Sequence, residues 1–397
     1  SGAKNSVVAL IPAAILCDEK TTISNVPNIT DVDDLENILV HLNAKMNRQE
    51  GIVEIDSSEI INTEITYELS KKLRASYYFM GALLGKFKKV DMYFPGGCAI
   101  GARPINLHLK GFELLGATIT EEENHFIIEA EQLKGNNIYL DFPSVGATIN
   151  IMLAAVKAKG KTIIDNAAQE PEIVNIATFL NNMGAKIKGA GTSTITIIGV
   201  KHLHSCFHEV IPDRIEAGTF LILGAIHNGI TIYNIHPQNI TYLTDVLHNC
   251  GYSLEINDND ITLHPHNKND IKPFNITLSP HPGFPTDLGP LMCVLASQIK
   301  GTSYILETVF KDRFNHISEL QKMNIDISLN NNLITINGVN NVINSTIKAS
   351  DLRCAASLLL ASTINHNYSI IDDIDYLFRG YENIKEKLNS LGIEFII

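Results

Sequence analysis

Apolar runs of helical length alternate with short β-branched runs along the whole chain. Six times a helical run stops at a glycine or an asparagine and a strand-like stretch follows. The stops fall in the segments HLNAKM, LLGATI, NMGAKI, NCGYSLEI, KMNIDI and SLGIEF, at Asn43, Gly116, Gly184, Gly251, Asn324 and Gly392. Glycine and asparagine most readily take the left-handed conformation that closes a helix. Successive stops lie 73, 68, 67, 73 and 68 residues apart, and each of the first three is 208 residues from its counterpart in the second three. The chain therefore reads as two copies of a three-repeat unit.

Each repeat also opens alike, with a small-residue turn leading into an apolar helix. These openings are at Ser1–Lys4, Leu73–Ser76, Val145–Thr148, Glu216–Thr219, Asp287–Gly289 and Leu352–Ala355. A strand-like run follows each one (TTISNV, KVDMYF, KTIIDNA, ITIYNI, TSYILET, YSIIDD), then a polar loop, a second helix and a hairpin. The pattern predicts an α/β protein of two domains, 1–211 and 212–397, each built from three β-α-β-α-β-β repeats around its own core. The sequence is 19 residues short of two full 208-residue copies. The expectation is that the sixth repeat takes its closing strand from a segment before Ser1.

Composition narrows the class. Forty-five per cent of the 397 residues are hydrophobic and 19% are charged, as in an ordinary globular protein. No apolar run has the length of a membrane span, so no membrane partner is expected. The net charge of −12 argues against nucleic acid, whose phosphates need an excess of Lys and Arg. The six cysteines form no CxxC or metal spacing, and Cys17, Cys293 and Cys354 sit in apolar runs, which suggests the reducing cytosol. The alternating His202, His204, Cys206 and His208 look like metal ligands, but alternate residues of a strand give this pattern by chance, and no metal is expected. The run Lys86–Lys89 reads as solvated.

Residues 95–107 carry the densest chemistry. Three glycines in seven residues let the backbone turn sharply, and the loop holds Cys98 and, five residues on, Arg103. A thiol near fixed positive charge becomes a usable acid or nucleophile, although a plain turn with Cys98 as filler also fits the loop alone. Only seven of the 31 basic residues are arginine. Five of them, Arg74, Arg103, Arg313, Arg353 and Arg379, fall at helix starts or in polar loops, where backbone amides favour phosphate. A cleft lined by arginine suits a small polyanionic ligand. Arg48 reads as a surface ion-pair residue.

Six such repeats, with the loop PGGCxIGxRPxxLH, resemble the enolpyruvyl transferases. The resemblance covers the whole chain and includes Ser1–Asn5, Pro171-Glu172, Pro212–Glu216, Phe284–Asp287, Glu307–Phe310, Asp312–Phe314, Asp351–Arg353 and Arg379–Glu382. It implies an inside-out α/β barrel in each domain. It also implies transfer of the enolpyruvyl group of phosphoenolpyruvate to the 3-hydroxyl of UDP-N-acetylglucosamine, with release of phosphate, as the first committed step of peptidoglycan synthesis. Neither a metal nor an organic cofactor is implied, and a monomer is expected. By motif match Lys4, Arg103 and Arg379 would hold phosphoenolpyruvate, with Arg313 and Arg353 nearby. Cys98 would be the acid and could itself add to phosphoenolpyruvate. Asp287 would accept the hydroxyl proton, although on its own it reads as a helix N-cap. Asn5, Arg74, Arg103, Pro104, Ile105, Asn106, Leu107, Ser144, Val145, Gly146, Asp287 and Val309 would contact the sugar nucleotide. Loop 95–103 would close over the site as a lid.

Three positions depart from the family pattern. Asn106 stands where aspartate is usual, and Phe142 and Thr30 stand where lysine is common, which bears on nucleotide affinity rather than on the chemical steps. Two other readings share the fold: a transferase with another acceptor, and a non-catalytic paralogue that binds nucleotide sugars. Intact Lys4, Cys98, Asp287 and Arg379 count against the paralogue.

Overall fold

The computed structural model describes residues 1–94, 105–123, 125–365 and 367–396. These residues form two compact units that divide between Ile211 and Pro212. In the first unit, repeat one runs through α1 (Lys4–Ala14), β1 (Thr21–Ser24), α2 (Thr30–His41), the hairpin β2 (Lys45–Gln49) and β3 (Ile52–Asp56), and β4 (Glu64–Ile65). A linker helix, α3 (Tyr67–Lys72), and a 3-10 turn (Arg74–Tyr77) lead into repeat two. That repeat holds α4 (Tyr78–Phe87), β5 (Lys89–Tyr93), α5 (Asn106–Leu114), β6 (Thr118–Glu122), β7 (His125–Glu129) and β8 (Asn137–Tyr139). Repeat three holds α6 (Val145–Ala155), β9 (Lys161–Asp165), α7 (Pro171–Asn182), β10 (Lys186–Lys188), β11 (Thr194–Ile198) and β12 (Phe207–Glu209).

The second unit repeats the plan. It runs through α8 (Arg214–His227), β13 (Ile230–Tyr233), α9 (Thr241–Cys250), β14 (Leu254–Ile256), β15 (Asp260–Leu263) and β16 (Asn275–Leu278). A 3-10 turn (Thr286–Leu288) then opens α10 (Gly289–Ser297), followed by β17 (Gly301–Glu307), α11 (Asn315–Lys322), β18 (Asp326–Asn330), β19 (Leu333–Gly338) and β20 (Thr346–Lys348). The last repeat contains α12 (Leu352–Ser362), β21 (Ile370–Asp372), a 3-10 turn (Ile374–Arg379) and α13 (Ile384–Ser390). All six helix stops read from the sequence have positive φ, from 63° at Asn324 to 109° at Gly251.

The strands explain how the repeats join. In each four-stranded sheet of the first unit, the first strand of a repeat pairs antiparallel with that repeat's own hairpin and parallel with a closing strand. Thus β4 pairs with β5, β8 with β9, and β12 returns to β1. In the second unit β16 pairs with β17 and β20 with β21 in the same parallel sense. Among the described residues, β13, β15 and β14 form a three-stranded sheet with β13 at its edge, and β20 and β21 form a pair.

Helices α1, α4 and α6 build the core of the first unit, and α8, α10 and α12 that of the second. Each is apolar nearly all round, and a helix of that kind has to be enclosed. Every residue from Gly146 to Ala155 of α6 and from Gly289 to Ser297 of α10 is buried. The α4–α6 crossing depends on Gly81. A Cβ there would lie 2.3 Å from the Asn150 carbonyl oxygen, and the Gly81 amide donates to Asn150 Oδ1 at 2.8 Å. The second helix of each repeat is two-faced; α11 buries His316, Ile317 and Leu320 and leaves the rest at the surface. Among the described residues no helix is long and apolar enough to cross a membrane.

Within the Lys86–Lys89 run, Lys86 departs from the expected solvation, while Lys89 is exposed as expected. Lys86 Nζ donates to the carbonyls of Cys17 (3.1 Å) and Ser57 (3.3 Å) and pairs with Asp18 at 2.8 Å, its side chain only 10% exposed. The Cys17 carbonyl lies beyond the end of α1 and the Ser57 carbonyl just beyond β3, and a lysine near the end of α4 donates to both.

Candidate active site

In the second unit the architecture brings Asp287, Arg313 and Arg353 into direct contact. Asp351 caps α12, its side chain accepting from the amides of Arg353 (2.9 Å) and Cys354 (3.1 Å), which seats Arg353 in the first turn. Arg353 Nη2 donates to Asp287 Oδ2 at 3.0 Å, and its Nη1 donates to the Tyr381 hydroxyl at 3.4 Å. Tyr381 in turn shares a 2.8 Å hydrogen bond with Thr219. Arg313, beyond the end of β17, donates through Nη1 to Asp287 Oδ1 at 2.8 Å and to Thr286 Oγ1 at 3.2 Å. Its guanidinium lies 4.9 Å from the Phe310 ring centroid.

Asp287 sits in the 3-10 turn that opens α10 and makes no capping hydrogen bond there; both its oxygens are taken by the arginines. Burial pushes its carboxyl up, but the charges and hydrogen bonds of Arg353 and Arg313 outweigh burial and hold it well below the usual carboxylate range. Two guanidinium groups converge on one carboxylate, each with further N–H donors in a planar fork. Planar forks of this kind suit carboxylate and phosphate.

In the first unit, Lys4 opens α1 and its Nζ pairs with Asp31 Oδ2 at 3.0 Å. Asp31 lies in the first turn of α2 and is fully buried. Asn5 follows Lys4 and is half-buried. A second group gathers around His108 in α5. The Tyr77 ring, from the turn that begins at Arg74, packs 5.0 Å from the His108 ring. A Cβ on Gly146 would lie 2.9 Å from His108 Cε1 and 3.0 Å from the Tyr77 hydroxyl, so a larger residue there would push the His108 or Tyr77 side chain aside. Ser144 caps that helix by accepting from the Ala147 amide at 3.2 Å.

The tautomer of His108 follows from its partners. Asn150 Oδ1 accepts from Gly81, so Asn150 Nδ2 faces His108 Nδ1 at 2.8 Å and donates to it. The ring proton is therefore on Nε2. Burial, helped by the charge of Arg74, pushes the His108 pKa down to about 3, so the ring is a neutral N–H donor throughout the physiological range.

Ile105 is buried at the start of α5, Asn106 is exposed and Leu107 is half-buried. Arg379 ends the 3-10 turn Ile374–Arg379, half-buried, and Val309 lies just beyond β17. Phe142 is 40% exposed. Cys98, Arg103, Pro104 and the expected lid 95–103 lie outside the described residues. Among the described residues no three His, Cys, Asp or Glu side chains gather as metal ligands. His208 instead pairs with Asn175 at 3.0 Å.

Sequence reasoning passed over Asp31, and it quoted Thr286, Glu307 and Tyr381 only within matching motifs, with no role of their own. Glu307 carried a further signal. It is an acidic residue on the buried face at the end of β17, where a charge is rare unless it has partners.

The fold and this cluster define an enolpyruvyl transferase, and the chain belongs to that family. The family model described as EPSP synthase (3-phosphoshikimate 1-carboxyvinyltransferase) matches residues 1–388. The chain is 47% identical over 394 residues to UDP-N-acetylglucosamine 1-carboxyvinyltransferase 2 of Bacillus cereus, covering 99% of this chain and 91% of that protein. It is 46% identical to the proteins of the same name from Bacillus subtilis, again covering 99% and 91%, and from Listeria monocytogenes, covering 98% and 92%. Among solved structures, the enolpyruvyl transferase NikO from Streptomyces tendae superposes with a TM-score of 0.90 at 24% identity, over 99% of this chain and 93% of that one. An EPSP synthase from Acinetobacter baumannii superposes with a TM-score of 0.74 at 18% identity, over 99% and 95%. These superpositions support the fold: two domains of the enolpyruvyl transferase type.

Proposed function

We propose that this protein transfers the enolpyruvyl group of phosphoenolpyruvate to the 3-hydroxyl of UDP-N-acetylglucosamine and releases phosphate, committing the sugar to peptidoglycan in the cytosol. It acts as a monomer without metal or organic cofactor. The observation that carries this reading is Asp287 held between Arg313 and Arg353 in a chain that matches, over 99% of its length, relatives named for this transfer.

The chemistry divides among the residues as follows. The sugar oxygen attacks C2 of phosphoenolpyruvate as Asp287 takes its proton, and Cys98 delivers a proton to C3, giving a tetrahedral intermediate. Loss of a proton from C3 and cleavage of the C2–O bond to phosphate restore the enol ether. Lys4, Arg103 and Arg379 hold the phosphate and carboxylate of phosphoenolpyruvate, with Arg313 and Arg353 alongside. The pairing with arginine makes Asp287 a weak base in the free protein. An incoming anion that draws Arg313 and Arg353 toward itself restores basicity when substrate is bound. Asn5, Arg74, Arg103, Pro104, Ile105, Asn106, Leu107, Val309 and the start of α6 at Ser144, Val145 and Gly146 take the sugar nucleotide, whose diphosphate suits a helix N-terminus.

The test is phosphate release from phosphoenolpyruvate with UDP-N-acetylglucosamine, with shikimate 3-phosphate, or with neither. Release that requires the sugar nucleotide supports the reading. Release with shikimate 3-phosphate instead, or with no acceptor, overturns it.

A further inference from the structure

The carboxylate of Glu307 is buried at the end of β17, and every atom of it that can accept a hydrogen bond does so. One oxygen, Oε1, accepts from the amides of Val309 (2.7 Å) and Phe310 (3.2 Å). The other, Oε2, accepts from the Thr286 hydroxyl. The Glu307 backbone is pinned as well: its amide donates to the Asn332 carbonyl at 2.9 Å, and its carbonyl accepts from Asn332 Nδ2 at 2.8 Å. A buried carboxylate fixed at this many points acts as a rigid acceptor.

The direction of the Thr286 hydroxyl links Glu307 to the base. Because Thr286 donates its hydrogen to Glu307, its oxygen presents lone pairs to Arg313 Nη1 at 3.2 Å. The same Nη1 holds Asp287 Oδ1 at 2.8 Å. The other oxygen of Glu307 fixes the turn carrying Phe310, whose ring lies under the Arg313 guanidinium. Arg313 is thus aimed from two sides by one carboxylate. It also follows that the Val309 amide is already taken, leaving its carbonyl and side chain to meet the nucleotide.

We infer that Glu307 is a positioning residue for the transfer reaction, setting Arg313 and hence the Asp287 base through the hydroxyl of Thr286. This rests on the reading of Asp287 as the base.

Glu307→Gln isolates one arm of the arrangement. The amide oxygen still accepts from Val309 and Phe310, but an N–H now faces Thr286, so the hydroxyl loses its acceptor and its hydrogen turns toward Arg313. The experiment measures steady-state kcat and both KM values for Glu307→Gln, Thr286→Val, Thr286→Ser, the double variant Glu307→Gln/Thr286→Val and Asp287→Asn, with melting curves for each. The expected result is a fall in kcat of about 10- to 100-fold for Glu307→Gln and for Thr286→Val, with the KM for UDP-N-acetylglucosamine nearly unchanged. Thr286→Ser recovers most of the Thr286→Val loss, and the double variant is no worse than the poorer single one, as for two residues acting through one path. A wild-type kcat in Glu307→Gln, or losses that multiply in the double variant, overturns the inference. Turnover surviving in Asp287→Asn overturns instead the reading of the base.

Discussion

Replacing Asp287 by asparagine removes the negative charge from between two guanidinium groups and changes little else in shape. Arg313 and Arg353 meet opposite oxygens of the carboxylate at 2.8 and 3.0 Å, with side chains only 6% and 7% exposed. Neither can turn into water without giving up its contacts to Thr286, Phe310 or Tyr381. Breaking a buried ion pair from one side costs about 3–5 kcal/mol. Asp287 itself is 21% exposed, so solvent screens part of the interaction and the lower end, about 3 kcal/mol, is expected. For a domain of this size that corresponds to a fall in Tm of about 6–12 °C, measured by calorimetry in a phosphate-free buffer. Added inorganic phosphate should recover several degrees in the variant and fewer in the wild type, because an anion takes the place of the lost carboxylate. The pH dependence has a definite sign. A carboxyl depressed in the folded state contributes stability above its unfolded value near 3.9, and that contribution is lost only as pH falls through the lower folded value. The gap between wild type and variant should therefore stay constant over roughly pH 5–8. A variant that melts within about 1 °C of wild type, or a gap that closes between about pH 7 and 5, would refute the pairing argument.

The same Asp287→Asn variant should bind UDP-N-acetylglucosamine normally in calorimetry yet lose ~10²–10⁴ in turnover, the usual range for a missing base; unimpaired turnover would remove that role. Lys4→Ala and Arg379→Ala should each weaken phosphoenolpyruvate binding by roughly 2–5 kcal/mol and the sugar nucleotide by much less, and equal losses for both ligands would contradict the assignment. Alkylation by iodoacetamide at neutral pH should map by mass spectrometry chiefly to Cys98. Burial pushes the thiols of Cys206, Cys250 and Cys354 up to about 11 and also raises Cys17 and Cys293. Label found mainly on Cys206, the one half-buried thiol among the described five, would count against this.

Features set by neighbours in sequence were legible without the structure. The six left-handed helix stops and the strand runs after each first helix depend on local backbone preference and periodicity, and the chain states both directly. The short parallel strands were not legible. β4 has two residues and β12 three, too few to show alternation, and each exists because a distant strand offers it an edge. Single residues divide the same way. The arginines stood out by scarcity, and Arg313 and Arg353 do meet Asp287. Lys86 was misread because a lysine run looks like a solvated face, and nothing nearby in sequence shows the carbonyls it reaches. Glu307 and Tyr381 act through side chains far away in sequence, so their roles are visible only once the chain is folded.

The return of β12 to β1 governs the order in which the first unit is completed as the chain leaves the ribosome. Asn25, just past β1, donates to the carbonyl of Val210, 185 residues later, and the Ala3 amide donates to Ile211 at 2.7 Å. At synthesis rates of about 5–20 residues per second, the outer edge of β1 waits about 10–40 s for its partner. Until then β1 can pair only with β3 on one side, and the unit cannot close cooperatively. Conversely, the two ends of the finished unit lie side by side. A permuted first unit that joins Ile211 to Ser1 and opens in the exposed hairpin tip at Glu50–Gly51 would keep that strand pair and make β12 before β1.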